Sequence, residues 1–283
     1  MRVHHLDCCT MCPRGRRHLN DAGHLVGHVL VLETDRHGLV LVDTGIGRGC
    51  VADLRGWMGA AVVAATGPVA DPTRTAHHQL GRLGLDPGDV RHVVVTHLDG
   101  DHAGGLADFP EATVHVHGTE LDAAVNPRST AEKQRYRRRM WAHGPRWRTF
   151  RTDEGDTWNG FAAARPLATG ERPGEVLDGV VTLGLPGHTR GHSLVAVDRG
   201  DGGWLVHAGD AYFHTASVHR DRGRPTRLLT AFERTVAVDR SALAGNHQRL
   251  ADLASSGRAT VVCAHDPSEY SALALRDEVR PPG

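Results

Sequence analysis

This chain of 283 residues has no apolar run of about 18 residues, so none of it reads as a membrane-spanning helix. The first twenty residues, MRVHHLDCCTMCPRGRRHLN, also lack the apolar stretch of a secretory leader. These two absences lead us to expect a cytoplasmic protein. Net charge is missing as well. Basic and acidic residues number 33 each, which leaves no global field to gather nucleic acid or an anionic membrane. A small-molecule partner is expected instead.

Cysteine is sparse and odd in number. Of the five, Cys8, Cys9 and Cys12 crowd together while Cys50 and Cys263 stand apart, so a disulfide framework is not expected. Cys9 and Cys12 form a CxxC, but no second pair completes a zinc site, and reduced structural thiols are the expectation. Aromatics are few, with 5 Phe and 3 Tyr against 21 His. Several histidines stand beside Asp and Gly at the ends of β-branched runs, which is where metal chemistry would use them.

Those runs organise the chain. His24–Glu33 and Gly38–Val42 read as a hairpin about the turn Thr34-Asp35-Arg36-His37. Arg91–Thr96, Thr113–Val116, Val180–Leu185, Ser193–Val197, Trp204–His207 and Ala259–Cys263 read as further strands. Helices are expected at Thr73–Leu83, Gly118–Val125, Ser129–Trp141 and Ser241–Ala254. Strands and helices are mixed throughout, without a disordered linker or a short repeat, so a single α/β domain is expected over 1–283.

The richest motif leaves the strand at Arg91–Thr96. His97-Leu98-Asp99-Gly100-Asp101-His102 places four residues of metal-ligand type in six positions, beside glycines that permit close approach. Three more strands end on Pro186-Gly187-His188-Thr189-Arg190-Gly191-His192, on His207-Ala208-Gly209-Asp210-Ala211 and on Cys263-Ala264-His265-Asp266. A fifth ends on Leu41-Val42-Asp43-Thr44-Gly45. In this order, over roughly residues 24–270, the five motifs resemble those of the metallo-β-lactamase superfamily.

The resemblance implies a four-layer αββα sandwich with two divalent metal ions at the shared edge of its sheets. Carried over residue by residue, it puts His97, Asp99 and His188 on the first ion and Asp101, His102 and His265 on the second, with Asp210 between them. Asp43 would orient ligands, and His192 would support its loop rather than bind metal. A hydroxide held by the ions would be the nucleophile, with Asp101 orienting it or taking its proton. Residue 99 departs from the family pattern, which has His there. An Asp oxygen reaches as far from Cβ as the nearer imidazole nitrogen, but it adds a negative charge and a harder ligand. Zinc is the first expectation, with manganese or iron as alternatives.

Two further features bear on activity. Tyr212 stands two residues after Asp210 and is expected to hydrogen-bond a developing oxyanion. The basic and aromatic stretch Arg135–Trp141, with Trp147 and Trp158, suggests a cap insertion at about 126–178. The function expected from the resemblance is hydrolysis of a small carboxyl ester or lactone, with an N-acyl-homoserine lactone as the single best guess. The alternatives are a glyoxalase II-like thioesterase and a di-metal redox protein.

Overall fold

A computed structural model describes residues 1–152, 156–163 and 174–279. The apolar alternation of the strands builds two sheets. The first contains β1 (Arg2–Asp7), β2 (His28–Thr34), β3 (Gly38–Val42), β4 (Val90–Val94), β5 (Thr113–His117) and β6 (Arg146–Phe150), in that order across the sheet. β1 to β3 are antiparallel, and β3 to β6 run parallel. The second sheet contains β7 (Asp156–Trp158), β8 (Phe161–Ala163), β9 (Glu175–Leu177), β10 (Val180–Gly184), β11 (Ser193–Asp198), β12 (Trp204–His207) and β13 (Ala259–Val262). Its path is β13-β12-β11-β10-β8-β7, with β9 also paired to β10.

Period-two alternation assigns each side chain to a layer. Leu30, Leu32, Val40, Val42 and Val94 of the first sheet meet Val180, Val195, Val197, Leu205 and Val262 of the second in one buried cluster. Their neighbours Val29, Val31, Leu41, Val93 and Val114 face the other way, onto α4 (Ala76–Arg82) and α6 (Gly118–Val125) through Leu80 and Ala123. On the far side, Val181, Leu183, Leu194 and Val206 pack on Leu250, Ala251 and Leu253 of α9 (Arg240–Ser255). Each fully buried leucine in such a layer contributes on the order of 2 kcal/mol. The result is the expected αββα sandwich.

The remaining helices fall between and after these elements. α1 (Arg48–Ala52), α2 (Leu54–Met58) and α3 (Ala60–Thr66) follow β3, α5 (Gly100–Ala103) follows β4, and α7 (Thr130–Arg135) follows α6. α8 (Arg227–Val236) precedes α9, and α10 (Pro267–Val279) ends the described chain. No helix among the described residues is long and apolar enough to cross a membrane.

Several expectations are corrected. β1 was not anticipated, nor were β6 to β9, α8 or α10. The hairpin's first strand starts at His28 rather than His24. The helix expected over Ser129–Trp141 stops at Arg135, where Tyr136 takes an extended backbone of φ −86° and ψ 114°. Its hydroxyl donates to the buried Glu120 carboxylate at 3.0 Å, and that bond turns the chain inward. Part of the expected cap, residues 153–155 and 164–173, lies outside the described residues. Of the rest, β6 to β9 join the sheets: β6 forms an edge, Trp147 packs against the first core, and Trp158 packs in the second. Within that span, α7 reaches the site through Arg135.

Candidate metal centre

β3, β4 and β12 and the loop after β10 deliver their terminal residues to one rim, and β13 adds His265. Ligand-type atoms there fall into three groups, each within 4.8 Å: His97, Asp99 and His188; His97, His102 and Asp210; and Asp101, His102 and His265. The structure thus brings together all seven residues singled out as candidate ligands. Asp210 lies between the groups. Its Oδ1 is 3.0 Å from Nε2 of both His102 and His265, and its Oδ2 is 3.3 Å from His188 Nε2 and 3.8 Å from His97 Nε2.

Surrounding acceptors fix the ring tautomers. His265 Nδ1–H donates to the Val26 carbonyl at 2.8 Å, and His102 Nδ1–H donates to Asp43 Oδ2 at 2.8 Å. Thr96 Oγ1 donates to the same Asp43 oxygen, so it is left to accept from His97 Nδ1–H at 3.0 Å. Each of the three rings therefore turns Nε2 inward, toward the space a cation would fill. His97 Nε2, His102 Nε2 and Asp210 Oδ1 are buried without a hydrogen-bond partner; Asp99 Oδ1, also without one, faces the Arg135 guanidinium as an ion pair at 3.4 Å. Leaving such atoms unpaired is costly, and a bound cation satisfies them, so the donor set fits divalent metal ions.

Asp43 pays for its position with strain. It is a non-glycine residue at φ 59°, a region disfavoured for L-residues. It is held there by Thr96, whose amide and hydroxyl donate at 2.7 and 2.8 Å, and by His102. His192 has both nitrogens occupied, with Nδ1–H on the Leu185 carbonyl at 3.0 Å and Nε2 accepting the Asp210 amide at 3.0 Å. It positions the Asp210 backbone. Gly209, at φ +53°, is required beside it, because a Cβ there would meet His192 Nε2 at 2.7 Å.

Electrostatics follow from this crowding. Burial alone would raise the Asp210 carboxyl, but His265, His102 and His188 hold it well below the usual carboxylate range. Burial likewise acts to lower His102, and Asp210, Asp43 and Asp101 outweigh it and push the ring up. His192 is pushed well down by burial and then by His97 and His188, which keeps it neutral as its two hydrogen bonds require.

Glu120, which the sequence analysis did not single out, ties the loops together. Its carboxylate accepts from Leu98 N at 3.0 Å, Thr189 Oγ1 at 2.7 Å and Gly191 N at 3.2 Å, locking the His97 and His188 loops to each other. Arg135 was also missed as a site residue. Its position in an arginine-rich run gave no signal that it turns inward, where it donates to the His188 carbonyl at 2.9 Å and to the Val236 carbonyl.

Tyr212 requires a correction. It is fully buried, and its hydroxyl donates to Glu269 at 3.1 Å, so it does not line the pocket and is not free to serve an oxyanion. The thiols take no part in the site. Cys8, Cys9, Cys50 and Cys263 are buried and free, and burial pushes the Cys8 and Cys9 thiols well up, away from reactivity.

A cavity of about 140 Å³ opens onto the cluster. Its floor includes Asp99, Asp101, Asp210, His188 and His265, and its walls are largely apolar: Met11, Leu25, Met58, Phe213, Phe232 and Val236. Asp99 and Asp101 are the ligand-type residues most open to it, with side chains 17% and 15% exposed against 0–4% for the others.

Comparison with known proteins agrees with the geometry. The family profile described as "Metallo-beta-lactamase superfamily" matches residues 22–265. A "Probable metallo-hydrolase", Rv2300c of Mycobacterium tuberculosis, is 41% identical over 95% of this chain and 82% of its own length. The N-acyl homoserine lactonase AttM of Agrobacterium fabrum is 28% identical over 89% of this chain and 86% of its own. Among solved structures, a mutant of Bacillus thuringiensis AiiA with N-decanoyl-L-homoserine at its active site superposes with a TM-score of 0.68 at 20% identity, covering 95% of each chain.

Proposed function

This chain belongs to the metallo-β-lactamase superfamily and is a metal-dependent hydrolase, and from that premise we propose that it opens small apolar lactones or carboxyl esters. An N-acyl-homoserine lactone is the best single candidate, and zinc is the metal proposed. The observation that carries this reading is the meeting of an apolar wall with a carboxylate-rich ligand floor in one cavity. A chain of methylenes fits such a wall, and a polar, uncharged ring fits the floor. The lactonase relatives add support by analogy.

In this reading His97, Asp99 and His188 would hold one ion and Asp101, His102 and His265 the other, with Asp210 placed between them. Two divalent ions, when bound, lower the pKa of a water to about 7 and draw charge from a carbonyl oxygen. The protein's own residues do the rest. Asp43, Thr96 and the Val26 carbonyl hold three imidazoles in ligating tautomers. Asp101 borders the cavity and has an oxygen 3.7 Å from His265 Nε2, which suits it to receive a proton from the attacking water. Met58 and Phe213 exclude bulk water beside it.

A phosphodiester is the poorer fit. Arg135 is the cationic side chain in the lining apart from the histidines, and its nitrogens are committed to the His188 and Val236 carbonyls and to Asp99. Among the described residues the lining thus holds a single guanidinium, already engaged by the protein, to meet a charged phosphate. The test is a substrate panel of lactones, esters, thioesters and phosphodiesters on protein loaded in turn with zinc, manganese and iron. Lactone or ester turnover is expected to lead. Phosphodiester turnover ahead of both under every metal would overturn the reading, and thioester turnover ahead of both would move the chain to the thioesterases.

A further inference from the structure

Asp99 stands where the family pattern has a neutral imidazole, so the floor carries one more negative charge than the usual set. The structure places a cation directly against it. Asp99 Oδ2 faces His188 Nε2 at 3.0 Å and His97 Nε2 at 3.4 Å, while Oδ1 pairs with Arg135 Nε at 3.4 Å. The carboxylate is thus divided, one oxygen toward the first ligand group and the other toward a guanidinium. Arg135 is itself largely buried, with its side chain 16% exposed. It is the last residue of α7, a helix anchored by Glu132, which binds Arg190 at 2.6 Å and the Arg128 amide at 2.6 Å.

We propose that Arg135 is a positioning residue paired to Asp99, and that the two together stand in for the neutral histidine. Arg135 cancels the added charge through its ion pair with Oδ1 and keeps Oδ2 on the side of the first ligand group. The inference rests on the reading of Asp99 as a ligand given above. A guanidinium suits the task because it keeps its charge when buried and holds a planar fork fixed by two carbonyls. Three of its five N–H donors already point into the protein, with Nη1 on the His188 carbonyl, Nη2 on the Val236 carbonyl and Nε toward Asp99.

The consequence is a change of sign. With Asp99 in place, removing the positive charge frees the carboxylate to swing and leaves the floor over-charged. With histidine in place of Asp99, the same positive charge has no partner and repels the incoming cation. The experiment measures zinc and cobalt affinity by chelator competition, with cobalt absorption reporting the ligand set, for the wild type and for Asp99→His, Arg135→Gln, Arg135→Lys and the double variant Asp99→His with Arg135→Gln.

Arg135→Gln alone is expected to weaken the first ion about tenfold, and in the Asp99→His background it is expected to strengthen it about tenfold. Arg135→Lys, which keeps the charge but loses the fork, should stay within about threefold of wild type. A purely structural Arg135 would give the same loss in both backgrounds and no rescue by Lys, and either result overturns the proposal. Failure of the function reading looks different: sign reversal in metal affinity without lactone turnover would leave the pair standing and remove the substrate assignment. A wild-type chain that takes up neither metal would overturn both.

Discussion

The hydroxyl of Tyr212 lies 3.1 and 3.2 Å from the two carboxylate oxygens of Glu269, on the side of the rim away from the cavity. Glu269 also accepts the Cys263 amide at 2.8 Å, so it links the loop after Asp210 to the strand end before His265. Burial, and then the charge of Asp266, pushes the Glu269 carboxyl up to about 7. Tyr212→Phe leaves this buried acid short of a donor. A loss of about 1–3 kcal/mol in unfolding free energy is expected, with kcat unchanged within about threefold. Urea unfolding and lactone kinetics on one preparation check this, and a fall in kcat without loss of stability would return Tyr212 to the chemistry.

Asp210 and His192 touch each other through backbone and ring, yet their removal should differ. Asp210→Ala takes away the carboxylate that faces both ligand groups, so metal content is expected to fall from two ions per chain to one or fewer, with kcat/KM down at least about a thousandfold. His192→Ala removes only the acceptor of the Asp210 amide. It should keep most of the metal and lose about tenfold in kcat/KM. Elemental analysis of protein purified without added metal makes the comparison, and equal losses would count against Asp210 as the bridge.

The sandwich was legible in the sequence because alternating runs such as Val29-Leu30-Val31-Leu32 must present one set of side chains to each layer. The candidate ligands were legible because His and Asp at strand ends have no packing reason to recur with glycine. What escaped was set by tertiary contacts. Tyr212 is two residues from Asp210, which in a strand would place both on one face. Residues Gly209–Ala211 instead form a 3-10 turn, and that rotation sends Tyr212 to the opposite side. Arg135 is one of four arginines within Arg135–Arg139, and its sequence neighbours alone do not mark it as the one that turns into the site. β1 was hidden because His4 and His5 break its apolar alternation, while its pairing with β2 fixes it in the sheet.

Away from the metal site, His115 and His92 meet between neighbouring strands, His92 Nδ1 lying 3.1 Å from His115 Nε2. Burial, and then His92 and Arg148, push His115 down to about 3; burial, and then His37, push His92 down to about 4. The unfolded chain takes up these protons near pH 6.5, but the folded chain does so only at the depressed values. Stability from the neutral rings is therefore complete above pH 6.5 and drains as pH falls toward 4 and 3, at up to about 1.4 kcal/mol per pH unit for each proton. His115→Gln should flatten the decline between pH 6 and 4 by close to one proton. Urea midpoints of chelator-treated protein across that range measure it, and parallel slopes for variant and wild type would refute it.

The cavity wall makes a claim about chain length. Leu229, Phe232 and Val236 recur at i, i+3 and i+7 along α8, which gives the helix one apolar face. Leu229 is buried in the core, while Phe232 and Val236 reach the cavity, the Phe232 ring 5.8 Å from that of Phe213. Each methylene taken from water into such a wall is worth about 0.8 kcal/mol, or roughly fourfold in kcat/KM. Homoserine lactones with longer acyl chains should therefore be preferred until the wall is covered. Phe232→Ala is expected to cost a decanoyl substrate about tenfold in kcat/KM, mostly through KM, and a butanoyl substrate much less. Leu228, exposed on the same helix and absent from the cavity lining, supplies the control. Leu228→Ala should leave the chain-length series unchanged. An equal loss across all chain lengths in Phe232→Ala would mean that the ring only seats α8, and the apolar wall would then cease to be the reason for the substrate assignment.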